Sequence, residues 1–266
     1  MNTSTPIGRG LGITAGLDAG LARDLAVRCE HLGYHSLWSN DEPGSPGLET
    51  LAHLAAGATR LELGVGALPL DRHQPVRIAA EIDRLGLDPA KLWIGVGSGQ
   101  LGPPIEIVQR AVAELRVLLP EETRIVVAAM RRRLCRLGGA IADGVLLNWM
   151  PPAQAAGARH WVHEGADKAG RAAPGVASYV RVAVGPGSRQ RLRDEERYYR
   201  NVNEDHRRHF EAMDVPLGSV GVAESARPQV LEGLAPYHSA LDLPIVRVLA
   251  EHDATSLSAV AIAAAP

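Results

Sequence analysis

Arg131, Arg132 and Arg133 stand in a row where an apolar run, Ile125 to Ala129, gives way to residues at helical spacing. Three guanidinium groups therefore crowd the start of a helix. Positive charge at that end opposes the helix dipole. A bound anion such as a phosphate relieves the conflict and also meets the first-turn N–H groups. Ala129 and Met130 bring the backbone to the same spot, and solvated surface arginines are the alternative reading. Two more strand-like runs end in residues with chemical uses. Gly97-Ser98-Gly99-Gln100 follows one of them. Its glycines let a ring or phosphate approach the backbone, while Ser98 and Gln100 offer hydrogen bonds but no acid. Ser39-Asn40-Asp41 follows another. Asp41 can pass a proton if burial raises its pKa, with Asn40 hydrogen-bonding beside it. Asx-turn chemistry is the alternative there.

Several function classes drop out on composition. A net charge of −2 argues against a global field for nucleic acid or anionic membrane. No run approaches the length of a membrane span. Met1 to Arg9 has no apolar leader region, so a cytoplasmic protein is expected. The histidines have no ligand spacing, which implies no metal. His73 reads as a structural loop histidine, and His206 and His209 as part of a solvated helix face. Cys29 and Cys135 both fall on apolar helix stripes and read as buried free thiols. No nucleophile-elbow or Walker text occurs.

The elements that would position these residues alternate in type. Strand-like runs begin near Leu11, Tyr34, Leu61, Leu92, Ile125, Val145, Ala177 and Leu243, and a helical stretch follows each. Ser188 to Met213 reads as one long charged helix, exposed or facing another subunit. Eight such units, with no linker-like tract between halves, predict one α/β domain over residues 1–266, a (β/α)8 TIM barrel. An open doubly wound sheet is the runner-up, but the glycines Gly8, Gly10 and Gly12 fall before or within the first strand, where they cannot form a dinucleotide turn. In a barrel, the chemistry belongs at the carboxyl ends of the strands. Every stretch in the opening paragraph sits at such an end.

With the strand ends marked, the chain resembles the bacterial luciferase-like superfamily of flavin- and deazaflavin-dependent oxidoreductases. The matching text is EHLGYHSLWSND (Glu30 to Asp41), the stretch Thr59 to Leu85, LWIGVGSG (Leu92 to Gly99), Ile125 to Trp149, and HEGADKAGR (His163 to Arg171). The resemblance implies hydride transfer to or from coenzyme F-420 (a deazaflavin) or FMN, or monooxygenase chemistry with FMN. It also implies a small-molecule substrate and a homodimer. By the same resemblance, a bulge with a non-prolyl cis peptide at Gly66-Ala67 backs the ring. Asn40, Ser98 and Gln100 meet the ring's edge, Ala129, Met130, Arg131 and Arg132 meet its phosphate, and Asp41 is the catalytic acid or base. The chain departs from the family in three ways. Asn40-Asp41 replaces Asp-His, Gln100 replaces a Glu, and only Gly102 to Arg124 fills the place of a long insertion between strands four and five. A barrel that holds flavin without turnover is the alternative function.

Overall fold

The computed structural model describes residues 8–266; the segment before Gly8, part of the leader-free reading, lies outside the described residues. Strands and helices alternate as β1 (Gly10–Ile13), α1 (Ala19–His31), β2 (Ser36–Ser39), α2 (Gly47–Ala55), β3 (Glu62–Pro69) and α3 (Pro75–Arg84). The next units are β4 (Leu92–Gly97), α4 (Pro104–Leu118), β5 (Arg124–Ala128), α5 (Arg132–Ile141), β6 (Gly144–Asn148) and α6 (Pro152–Lys168). Then come β7 (Gly175–Val184), α7 (Ser188–Val202), α8 (Glu204–Met213), β8 (Val222–Glu224), α9 (Arg227–Ala240), β9 (Leu243–Val248) and α10 (Ala254–Ala263).

Neighbouring strands pair in parallel from β6 back to β1, and β9 joins β1 to β7. The β6–β7 pairing closes the cylinder. The result is the (β/α)8 barrel expected from the alternation. The three-residue β8 pairs with the end of β7 and lies outside the ring of eight. It is too short to show a periodicity and was not anticipated.

Two layers of apolar side chains hold the barrel. The larger lies between sheet and helices. Inside the cylinder, Trp38, Trp93, Val126, Leu146, Ala177, Tyr179, Leu243 and Ile245 form a second cluster. The indoles fit there because the facing positions are glycines: a Cβ on Gly64 would stand 2.4 Å from the Trp38 ring, and one on Gly12 would stand 2.9 Å from Tyr179. Large side chains set against absent ones fill the interior. Cys29 and Cys135 are buried and unpaired, as read from their helix stripes.

The charged stretch after β7 departs from expectation. It is two helices, broken at the extended Asn203, whose side chain accepts from the backbone N–H of His206 at 2.9 Å and so caps α8. Nor is its polar face wholly solvated. Glu196 is fully buried, taking N–H bonds from Gly218 and Val220 and an ion pair from Arg200. Between β4 and β5 only α4 and its connections intervene, so the shortened insertion is real.

Candidate functional site

At the carboxyl rim of the barrel opens a cleft of about 580 Å³. Gly66 and Ala67 from β3, Gly97 from β4 and Ala128 from β5 contribute a floor of minimal side chains. The Gly66–Ala67 peptide is cis, at a register shift between β3 and β4. That is the bulge implied by the resemblance. A Cβ on Gly97 would meet the Ala128 and Ala67 methyls at ordinary contact, 3.5 and 3.9 Å. The floor is therefore shallow because of residue type.

Ser98, Gly99 and Gln100 form one wall. Gly99 has φ +61, and a Cβ there would strike the Asp71 carboxylate at 2.2 Å. That carboxylate accepts the Gln100 N–H at 2.8 Å, so the loop is held from below. Ala129 and Met130 continue the opposite wall into the start of α5. Arg131 is the N-cap, in extended conformation with no side-chain cap bond. A helix start without a side-chain cap leaves its first N–H groups available, and here they sit on the cleft with Arg131, Arg132 and Arg133. Arg131 reaches the Asp205 carbonyl at 3.3 Å and Arg132 stands 3.7 Å from Glu164. Both are loose pairings of half-exposed groups.

Two of the site residues expected from sequence fall elsewhere. The Asp41 carboxylate is 2% exposed and holds three partners: Gly47 N–H donates at 2.9 Å, Arg72 at 2.6 Å and His73 at 2.8 Å. A buried carboxylate tied to an arginine, a histidine and a backbone donor is a loop clamp. It is also not on the cleft wall. Asn40 likewise accepts from Ala15 N–H at 2.7 Å and donates to Glu42 at 2.6 Å, within the same loop system. Neither Asp41 nor Asn40 lines the cleft; both belong to the loop after β2. His73 belongs to the clamp, which matches its structural reading.

In their place the α7–α8 elbow brings Asn203, Asp205 and His206 onto the cleft. His206 Nδ1 lies 3.1 Å from Asn203 Oδ1, an acceptor, so Nδ1 carries the hydrogen and Nε2 holds the lone pair. That Nε2 is buried without a partner. Burial, reinforced by His209 and Arg181, pushes the imidazole down to about 4, so it is neutral at physiological pH. It is a candidate for proton transfer on the wall, and the solvated-face reading was wrong for it. His209 is buried as well, 2.9 Å from the Trp149 carbonyl. The sequence signal was there: Asn203 followed by Glu204 and Asp205 is a helix N-cap pattern inside the long charged run.

The buried histidines set an acid limit on the fold. His238, which accepts from the Arg9 guanidinium at 2.9 Å, is also pushed down to about 4 by burial and by Arg9. Between pH 6.5 and 4 the unfolded chain binds more protons at His206 and His238 than the folded one. Stability is full above pH 6.5 and is lost as pH falls through that window. Glu30, held at about 2 by Thr59 and Arg60, responds only below the ordinary glutamate range. Melting temperature should therefore be level from pH 8 to 7 and fall from 6.5 to 5, and His206→Gln/His238→Gln should flatten the fall. An equally steep fall in the double variant contradicts the assignment.

Comparison with known proteins follows the same lines. A family model described as luciferase-like monooxygenase matches residues 1–100 and 105–241. The chain belongs to the luciferase-like monooxygenase family. A luciferase-like monooxygenase of Escherichia coli K12 is 35% identical over 81 residues; the match covers 28% of this chain and about a quarter (24%) of the relative's length. Among solved structures, a coenzyme F-420-dependent secondary alcohol dehydrogenase bound to a coenzyme–acetone adduct superposes with TM-score 0.75 at 13% identity, covering 96% of this chain and 98% of that one. The coenzyme F-420-dependent tetrahydromethanopterin reductase of Methanopyrus kandleri gives 0.69 at 14%, covering 95% and 97%. The FMN-bound oxygenating component of a Pseudomonas putida diketocamphane monooxygenase gives 0.66 at 13%, covering 97% and 98%. At these identities the superpositions establish the fold. Among the described residues no helix is long and apolar enough to cross a membrane, and no group of three or more His, Cys, Asp or Glu could hold a metal ion.

Proposed function

We propose that this chain is an oxidoreductase that holds FMN or the deazaflavin coenzyme F-420 in the rim cleft and exchanges a hydride with a small organic substrate. One observation carries the reading. The small-residue floor of Gly66, Ala67, Gly97 and Ala128 leads directly to an uncapped helix start flanked by three arginines. A flat ring with a phosphate on its side chain calls for both features. When bound, such a ring supplies the hydride acceptor or donor that no side chain provides. The protein's part is placement. Ala67 and Gly97 support the ring from beneath, Ser98 and Gln100 offer hydrogen bonds at its edge, and the α5 amides with Arg131 and Arg132 take the phosphate. His206 Nε2 can accept a proton from a substrate hydroxyl or return one. A homodimer working in the cytoplasm is part of the same proposal.

Titration with FMN and with coenzyme F-420 tests binding, and reduction of the bound form by NAD(P)H, alcohols and sugar phosphates tests turnover. Each of Arg131→Ala and Arg132→Ala should cost roughly 1–3 kcal/mol of FMN affinity, the scale of one charged hydrogen bond. Riboflavin, which lacks the phosphate, should bind all three proteins equally. Unchanged FMN affinity in both variants removes the arginines from the site. A second reading, a barrel that stores the cofactor without turnover, draws on the sequestered Asp41 carboxylate. Saturable binding with no reduction by any donor selects it.

A further inference from the structure

Two arginines lie buried inside the barrel's carboxyl end with no acidic partner. Arg181 of β7 and Arg247 of β9 are register neighbours on paired strands, and both project inward, as do Tyr179 and Ile245 two residues before them. They are 3% and 4% exposed. Arg181 lies 3.7 Å above the Trp149 ring, faces Tyr199 on another side, and donates to Asn148 Oδ1, while its Nε has no partner. Arg247 donates one bond, to the Thr14 hydroxyl at 2.9 Å, and its Nη1 has no partner. Neither forms an ion pair among the described residues.

Arg9 shows what a structural buried arginine looks like in this same chain. Its guanidinium reaches the Ala264 and Ala265 carbonyls at 2.6 and 3.0 Å and also His238. Arg181 and Arg247 have no such set of acceptors. Isolated buried charge is costly, and like charges side by side are costlier. Burial, with Arg247 contributing, pushes Arg181 down to about 10. Trp149 Nε1 and His206 Nε2, both near Arg181, are buried and unpartnered too. Three buried N–H donors without partners, Arg181 Nε, Arg247 Nη1 and Trp149 Nε1, thus lie together, beside the lone pair of His206 Nε2. Asn148, Tyr179 and His206 wall the inner end of the cleft, and Arg181 lies buried directly behind them, bonded to Asn148 and within electrostatic reach of Tyr179 and His206.

We propose that Arg181 and Arg247 form an oxyanion subsite at the inner end of the cleft, one that receives the acidic group of an organic acid substrate. Thr14 and Asn148 are the neutral acceptors that stand in until that group arrives. The substrate assignment rests on the redox reading of the cleft, because the cofactor's phosphate already has the α5 start; the subsite itself does not. A carboxylate or phosphate entering here compensates two charges at once, and its negative field favours a proton on His206.

The test uses propionate and inorganic phosphate as probes, with propionamide as the neutral control, at constant ionic strength. Tryptophan fluorescence and melting temperature are read on the cofactor-free protein. Both oxyanions should give a saturable response and propionamide none. Arg247→Met should weaken that response at least tenfold while melting at or above the wild-type temperature, because it removes an uncompensated charge. No saturable response in the wild type, or an equal response in Arg247→Met, overturns the subsite. Arg247→Met should leave FMN and riboflavin affinities unchanged. Loss of FMN with riboflavin unaffected overturns the substrate assignment in favour of the cofactor's phosphate. If neither FMN nor coenzyme F-420 binds while the oxyanion response persists, the redox reading fails and the subsite stands.

Discussion

Replacing Gly97 by leucine should cut FMN and coenzyme F-420 affinity at least a hundredfold and leave the melting temperature within a few degrees. The asymmetry comes from what surrounds the position. A Cβ on Gly97 meets only the Ala128 and Ala67 methyls, at 3.5 and 3.9 Å, and its φ is not in the left-handed region. The leucine side chain therefore has room, and that room is the cleft. It would occupy the plane proposed for the ring, and losing a stacking face and the full desolvation of a tricycle costs several kcal/mol. Each ~1.4 kcal/mol is a factor of ten in affinity. Undiminished affinity in a well-folded Gly97→Leu protein places the cofactor elsewhere.

Gly139→Ala makes the opposite prediction, a large loss of stability without any change on the cleft wall. A Cβ on Gly139 would lie 2.0 Å from the Val162 carbonyl oxygen, and one on Gly165 would lie 2.0 Å from that of Arg136. These two glycines let α5 and α6 cross backbone to backbone. Helix propensity alone favours alanine by up to ~1 kcal/mol. Forcing two backbones apart costs more, about 3 kcal/mol on the scale of overpacked cores. The contact wins, for a net loss of about 2 kcal/mol, or roughly 4 °C in a domain of this size. Gly157→Ala, also in α6 but with nothing within 4 Å of its Cβ, isolates the propensity and should raise the melting temperature. A Gly139→Ala protein that melts no lower than wild type contradicts the close crossing.

The legibility of the sequence followed the range of the interactions involved. The barrel strands were visible because burial on both faces makes them short apolar runs between glycines and helix caps, a local signal. The floor glycines and the Arg131–Arg133 cluster could be placed because barrel geometry fixes which strand end is functional. Asp41 misled for the same reason. Its position was right for chemistry, but its partners, Arg72 and His73, come from the next strand's loop, 31 and 32 residues away. The α7–α8 elbow was hidden in a continuous polar helix pattern whose break is a single extended residue, Asn203. Arg181 and Arg247 were invisible as a pair because only the β7–β9 register, across 66 residues, sets them side by side.

Hydrogen–deuterium exchange on the protein saturated with FMN or coenzyme F-420 tests the proposed seat of the ring on the Gly66–Ala67 and Gly97 floor, with its phosphate at the start of α5. Slowed exchange confined to residues 66–70, 97–102 and 129–135 is the expected result, together with the α7–α8 elbow at 203–206. Protection that leaves these segments unchanged while appearing elsewhere, or no protection with either cofactor at saturating concentration, contradicts it.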